Sequence, residues 1–283
     1  MKQAFVLIFV TLLIGTFACR KKEIADPSYI HVNKPIQLSH PGQGTALNDI
    51  RYVYTLINDN SIGTYPAPTT FPVLYQGDYT VEARPMIKWL ARDGFHPYSM
   101  MKNYAQFMHL NTLAVDTLRP VFEYEDNVEF VWLEDFDDND ASVQISSGSF
   151  DTFYMKNDPD IRIEGNYLEI NMGNGQQFFT IETKDLFVLP TDGREVILEL
   201  DYNTNVPFII GVTSVTSSQV NYLSSVTPYD TEKNWVKGYV YLTDEVFNLG
   251  KDVKFRVFFR SANAEIIDPV IRLDNLKLLY RKG

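Results

Sequence analysis

The feature that most constrains this chain is a strict two-residue alternation of side chains, repeated through its second half with no convincing amphipathic helix between the repeats. Val196, Leu198, Leu200 and Tyr202 alternate with Ile197, Glu199 and Asp201, while Val253, Phe255, Val257 and Phe259 alternate with Lys254, Arg256, Phe258 and Arg260. Successive side chains on a strand point to opposite faces, so each run predicts a strand with one face on a core. Further strands are expected at 128–136, 150–155, 167–172, 177–182, 208–212, 237–242 and 271–280. About nine strands in one segment predict a β-sandwich. The 17 Tyr and 19 Phe lean the same way, because aromatic side chains fit a pleated, half-buried surface. The last run carries a phase slip: Ile271 and Leu273 share one parity, Leu276, Leu278 and Tyr280 the other. A β-bulge at Asp274-Asn275 accounts for it.

The first half reads as a smaller β domain over residues 48–125. Strands are expected at 51–57 and 62–65 around an Asn58-Asp59-Asn60-Ser61 turn, then at 78–89, 106–110 and 117–124, with a connecting loop at 66–72. In the longest of these, Tyr79, Val81 and Ala83 alternate with Thr80, Glu82 and Arg84. Residues 89–104 are irregular and read as a long hairpin connection packing its own apolar residues. Residues 19–47 contain Pro27, Pro35, Pro41, Gly42 and Gly44 with no sustained period and read as a tether. The second domain spans residues 128–283.

Residues 1–18 read as a signal peptide, with Lys2 ahead of an almost unbroken apolar run from Ala4 to Ile14. That run is too short for a comfortable membrane span and ends at the charged stretch Arg20-Lys21-Lys22-Glu23. Cys19, the only cysteine, follows the small-residue box Gly15-Thr16-Phe17-Ala18, which resembles the bacterial lipobox. The resemblance implies lipidation of Cys19, cleavage before it and anchoring by several acyl chains. With Cys19 acylated the exported body has no thiol and no disulfide, so packing alone must hold it. Without residues 1–18 the chain keeps 24 basic against 36 acidic residues. So acidic a surface argues against nucleic acid as a partner.

Two further resemblances cover most of the body. Residues 52–87, with "IGTYPAPTTFPVL" followed by "YQGDYTVEA", resemble the PEGA-type β module and the amino-terminal half of a group of Bacteroidota lipoproteins that continue into a "YP" segment, here Pro97-Tyr98. The hairpin carries Asp59-Asn60-Ser61 where such modules commonly have Asp-Gly. The opening "EFVWLEDFDD" and the closing "IRLDNLKLL" resemble the first and last strands of jelly-roll carbohydrate-binding modules, in which these strands pair. Together they imply an all-β chain, with a small PEGA-like β-sandwich domain followed by a larger jelly-roll β-sandwich. They also imply an outer-membrane location, with the periplasmic and surface faces both open. Arg20-Lys21-Lys22-Glu23 only loosely resembles the export signals of surface lipoproteins in that phylum.

Candidate chemistry is sparse. The acidic run from Glu134 to Asp140 suits a hard cation, yet an EF-hand does not fit, since Asp140 stands where Gly is needed and Ser146 where the bidentate Glu belongs. The jelly-roll resemblance implies instead a structural Ca²⁺ held by Glu134, Asp137 and Asp274, the one cofactor expected. A solvated acidic turn is the plainer reading. The polar, Pro-containing segment "NYLSSVTPYDTEKNW" reads as a binding loop that offers Tyr222, Tyr229 and Trp235 for stacking on a ligand. Trp235 directly precedes a strand, where a core role is the commoner one. His31, His40, His96 and His109 share no ligand spacing, and neither HExxH nor GxSxG occurs. The expectation is therefore a non-enzyme. Its main form is an adaptor or accessory subunit with a protein partner in the cell envelope, held to the membrane through its lipid anchor. Its alternative form is a surface glycan-binding lipoprotein. A glycan-active enzyme comes third, because paired carboxylates converge in space and leave no sequence signature.

Overall fold

The computed structural model describes residues 26–283 apart from residues 91, 139, 150–151, 173–177, 262–265 and 267; Cys19 and the signal segment lie outside the described residues. The amino-terminal unit contains strands β1 (Ser28–Val32), β2 (Ile36–Gln37), β3 (Tyr52–Ile57), β4 (Asn60–Pro66), β5 (Thr69–Val73), β6 (Gly77–Ile87), β7 (His96–Pro97), β8 (Tyr104–Leu110), β9 (Val115–Leu118) and β10 (Val121–Phe122). The carboxyl-terminal unit contains β11 (Val128–Glu134), β12 (Val143–Ile145), β13 (Phe153–Lys156), β14 (Tyr167–Asn171), β15 (Phe179–Thr183), β16 (Val196–Thr204), β17 (Ile209–Val215), β18 (Val220–Val226), β19 (Val236–Tyr241), β20 (Lys254–Ser261) and β21 (Val270–Arg281). One short helix, α1 (Thr243–Val246), precedes β20. Among the described residues no helix is long and apolar enough to cross a membrane.

The carboxyl-terminal unit is the β-sandwich that the alternation predicts. One sheet runs β13-β14-β21-β16-β19, with β11 also on β21, and the other runs β12-β15-β20-β17-β18. Val196, Leu198, Leu200 and Tyr202 meet Ile210, Val212, Phe255, Val257 and Phe259 in one core between them. The first and last strands pair antiparallel, from Val128 opposite Arg281 to Glu134 opposite Leu276. The phase slip is a bulge: the β16–β21 register shifts between Glu199 opposite Lys277 and Asp201 opposite Asp274, and Asn275 has φ +51°. Ile271, Leu273, Leu276 and Leu278 consequently all reach the same core.

The amino-terminal unit is a second, smaller pair of sheets, β4-β3-β6-β7 with β8 on β6, and β5-β1-β9. Val53, Ile57, Val81 and Ala83 from one share a core with Ile30, Val32, Phe71 and Leu118 from the other. Two sequence expectations fail here. Residues 28–37 are no tether: β1 is the central strand of its sheet, antiparallel to β5 and parallel to β9, and β2 pairs with β10. The expected loop at 66–72 contains β5. The strands are only five residues long, and the parallel partner of β1 lies far along the chain, so no local period betrays them.

The two units also share a core. Ile197, Tyr239 and Leu279, on the outer side of the β16-bearing sheet, belong to the hydrophobic cluster of the amino-terminal unit, and all nine residues of β16 are buried. We call this sheet the junction sheet. Its polar residues are buried with it. Glu199, 1% exposed, accepts hydrogen bonds at Oε1 from the Tyr98 hydroxyl and from the Tyr124 hydroxyl, the latter at 2.9 Å. Lys237 Nζ lies 3.8 Å from Glu199 and 3.6 Å from Asp201. Lys277 Nζ donates to the Thr45 carbonyl at 2.5 Å, tying the 40s segment down. Burial, together with the Glu199 carboxylate, pushes the Tyr98 and Tyr124 hydroxyls well above the usual phenol range, which keeps them as donors. Removing one partner from a buried charged set leaves the others uncompensated, at about 3–5 kcal/mol. Glu199→Ala is therefore expected to lower the unfolding free energy by about that amount in chemical denaturation, with loss of both units in one transition.

The open sheet as candidate ligand face

The opposite sheet of the sandwich, β12-β15-β20-β17-β18, has its outer face uncovered by the amino-terminal unit, and we call it the open sheet. Because Phe255, Val257 and Phe259 face the core, Arg256, Phe258 and Arg260 face outward. Strand register sets the face in rows. Arg256, Thr213 and Tyr222 lie side by side on β20, β17 and β18. The next row is Gln144, Glu182, Phe258, Gly211 and Ser224, and the third contains Thr180, Arg260 and Ile209.

Phe258 is an apolar ring on an outward position, yet it is 0% exposed. Gly211 supplies the room for it: a Cβ at that position would meet the Phe258 ring at 2.8 Å and the Leu223 carbonyl oxygen at 2.1 Å. Tyr222 meets Phe258 edge-on at 5.3 Å between centroids, the preferred geometry for such a pair. The Arg260 guanidinium sits 4.2 Å from the Tyr222 centroid and 5.2 Å from that of Phe258. Its Nε donates to Thr180 Oγ1 at 3.1 Å. Tyr222 remains 42% exposed. The result is a fixed aromatic and cationic cluster in the middle of a polar sheet. Around it Arg256 pairs with Glu182 at 3.3 Å, and Gln144 Nε2 donates to the same carboxylate at 3.3 Å. Aromatic surface bordered by a few placed donors and acceptors is the usual make-up of a small-molecule or sugar site.

The structure does not gather the three aromatics expected to form one binding loop. Residues 220–226 are strand β18, which carries only Tyr222 onto the open sheet. Tyr229, 55% exposed, lines a cleft of about 130 Å³ beside Arg51, Trp89, Phe95 and Lys237, on the junction side. The Trp235 indole N–H donates to the Ile161 carbonyl at 2.6 Å and its ring packs edge-on against Tyr167 at 5.8 Å. That is a packing role. Sequence reasoning placed Phe258 and Arg260 on an outward face without choosing them. The available signal was an apolar residue on the polar parity of β20 with an arginine on either side.

Each expected calcium ligand accepts hydrogen bonds from its own surroundings. Glu134 accepts from the Phe136 amide at Oε1 and from Ser142 N and Oγ at Oε2, so it clamps its own turn. Asp137 accepts from the Asn166 amide at 2.6 Å, close to Gly165, whose φ of +44° and missing Cβ let the carboxylate in. Asp274 accepts from the Asn275 amide at the bulge. Among the described residues no group of three or more His, Cys, Asp or Glu is placed to hold a metal ion.

No protein-family model and no curated protein sequence matches the chain. Solved structures do. A carbohydrate-binding module from the β-sandwich superfamily, studied for promiscuous specificity, matches with TM-score 0.40 and 13% identity over 84% of this chain and 86% of its own. The xylan-binding domain CBM22-2 of Paenibacillus barcinonensis Xyn10C matches with TM-score 0.39 and 9% identity over 53% of this chain and 99% of its own. The K3 cleaved adhesin domain of Lys-gingipain from Porphyromonas gingivalis matches with TM-score 0.37 and 13% identity over 54% and 98%.

Away from the open sheet, burial pushes the Asp274 carboxyl up to about 8, reinforced by the Asp201, Glu164 and Asp137 charges and opposed by the Asn275 amide. The folded protein thus holds a proton there that the unfolded chain releases near pH 4. This contribution is fully present below about pH 4 and is lost as pH rises through about 8, with a slope of up to ~1.4 kcal/mol per pH unit. Asp274→Asn is expected to flatten that slope in denaturant titrations at pH 5, 6, 7 and 8. An unchanged slope would place the proton elsewhere.

Proposed function

We propose that this chain is a non-catalytic, lipid-anchored glycan-binding protein of the bacterial cell envelope, with its ligand lying across the outer face of the open sheet. The observation that carries this reading is the Tyr222–Phe258–Arg260 cluster at the centre of the uncovered face. An exposed ring stacks on the C–H face of a sugar, and the neighbouring arginine, threonine and glutamine side chains supply donors and acceptors for its hydroxyls. The absence of catalysis is supported by the carboxylates. Glycoside hydrolysis needs two of them, about 5–9.5 Å apart. On the described strands of this face Glu182 is the one carboxylate, and it is held by Arg256 and Gln144. The strongly shifted carboxyl of Asp274 lies with Asp201 near the closed junction instead.

The test is affinity electrophoresis of the detergent-solubilised full chain against a polysaccharide panel. Tyr222→Ala is expected to weaken binding by about tenfold or more, the loss of one stacking ring, whereas Tyr229→Ala and Trp235→Phe leave it within about twofold. Retention of no polysaccharide at all would sink the reading and return weight to a protein partner, sought by in-cell cross-linking. Anchoring is tested separately: labelled fatty acid is expected to enter the wild-type chain and not Cys19→Ser.

A further inference from the structure

We infer that the ligand of the open face is an acidic glycan, whose pendant carboxylate or sulfate is taken by the guanidinium fork of Arg260. This rests on the glycan reading above and narrows it to a substrate class. Of the ten described arginines, seven have a carboxylate within 4.0 Å: Arg51, Arg84, Arg92, Arg194, Arg256, Arg272 and Arg281. Arg119, Arg162 and Arg260 have none among the described residues, and of these only Arg260 stands on a sheet face against aromatic rings. In a chain with 36 acidic and 25 basic residues, leaving a central arginine unpaired runs against the average.

The two arginines of β20 make the contrast within one strand. Arg256 is neutralised: Nη1 reaches Glu182 at 3.3 Å and Nη2 the Lys184 carbonyl at 3.4 Å. Among the described residues Arg260 commits only Nε, to Thr180, and both terminal nitrogens keep their donors. Tyr222, Phe258 and Phe178, at 4.2, 5.2 and 5.5 Å from the guanidinium carbon, fix the plane of the fork from several sides. A planar, pre-oriented pair of N–H donors matches the two oxygens of a carboxylate or sulfate, and little side-chain entropy remains to be lost on binding. A neutral sugar would leave that charge without a counter-ion under the ligand. An acidic sugar stacked on Tyr222 would supply one.

The experiment compares ligands that differ only in charge. Full-length chain in detergent is titrated with polygalacturonate and with highly methyl-esterified pectin, which shares the backbone with its carboxylates masked; chondroitin sulfate, xylan and galactan complete the set. Polygalacturonate or chondroitin sulfate is expected to bind at least tenfold more tightly than the neutral polymers, and comparison of chondroitin sulfate with unsulfated chondroitin, which keeps the carboxylates, shows whether carboxylate or sulfate is preferred. Arg260→Gln is expected to remove that advantage, and Arg260→Lys, with charge but no fork, to restore only part of it. Independently of any variant, raising NaCl from 50 to 500 mM is expected to weaken acidic binding by about tenfold through screening. Equal binding of esterified and free polymer, or salt-insensitive binding, would overturn the acidic assignment while leaving glycan binding intact. Binding to none would overturn both.

Discussion

The burial of the junction sheet on both faces is the constraint on which the rest of the molecule depends. An antiparallel sheet in a sandwich ordinarily shows one face to water. Here the amino-terminal unit takes that place, with Ile197, Tyr239 and Leu279 in its own core and Glu199 receiving two of its tyrosine hydroxyls. Apolar burial supplies roughly 25 cal/mol per Å² for such contacts, whereas the charges beneath cost free energy unless every one is paired. The apolar residues therefore drive the docking, and the Glu199, Asp201, Lys237 and Lys277 set makes it specific. A unit slipped by one strand position would take the Tyr98 and Tyr124 hydroxyls from Glu199 and the Thr45 carbonyl from Lys277, leaving buried charge under-satisfied.

Closing one sheet decides what the other is for. The open sheet keeps an uncovered face, and along β20 its polar parity holds a ring where a polar residue would be expected. Phe258 lies across the sheet only because Gly211 has no side chain, and the ring in turn supports Tyr222 and Arg260. The cluster is a packed object on a surface, and Tyr222, Phe258 and Arg260 all stand on strands. Binding groups mounted on strands keep their geometry better than groups on loops, which suits recognition of a repeating polymer.

Much of this was legible in the residues themselves. The alternation in Val196–Tyr202 and Val253–Arg260 marks the core side of each strand, and the parity slip at Asp274-Asn275 marks the bulge, because both are local consequences of side-chain direction. What lay beyond reach was pairing between distant segments. Five residues at 28–32, between prolines, carry no more than a hint of alternation, yet β5 and β9 close around them. The same limit explains the site. Tyr222 was recognisable as an aromatic in a polar stretch, but its neighbours Phe258 and Arg260 are more than thirty residues away and are brought beside it only by the register of β17 between them. Tyr229 and Trp235 belonged to the same stretch of sequence and went to other surfaces, since the stretch is half strand and half loop.

The position of β1 bears on how the protein would meet its ligand. Its first residue, Ser28, already pairs with Val73 of β5, so with an acyl anchor at Cys19 only nine residue steps would separate the membrane from the folded body. Fully extended, they reach about 30 Å, about the thickness of a bilayer's hydrocarbon core. A body so anchored would sample a thin layer above the lipid. Polymer held in that layer would be present at a high effective concentration, so even a weak grip by the open face would retain it, while chains farther out would go unnoticed.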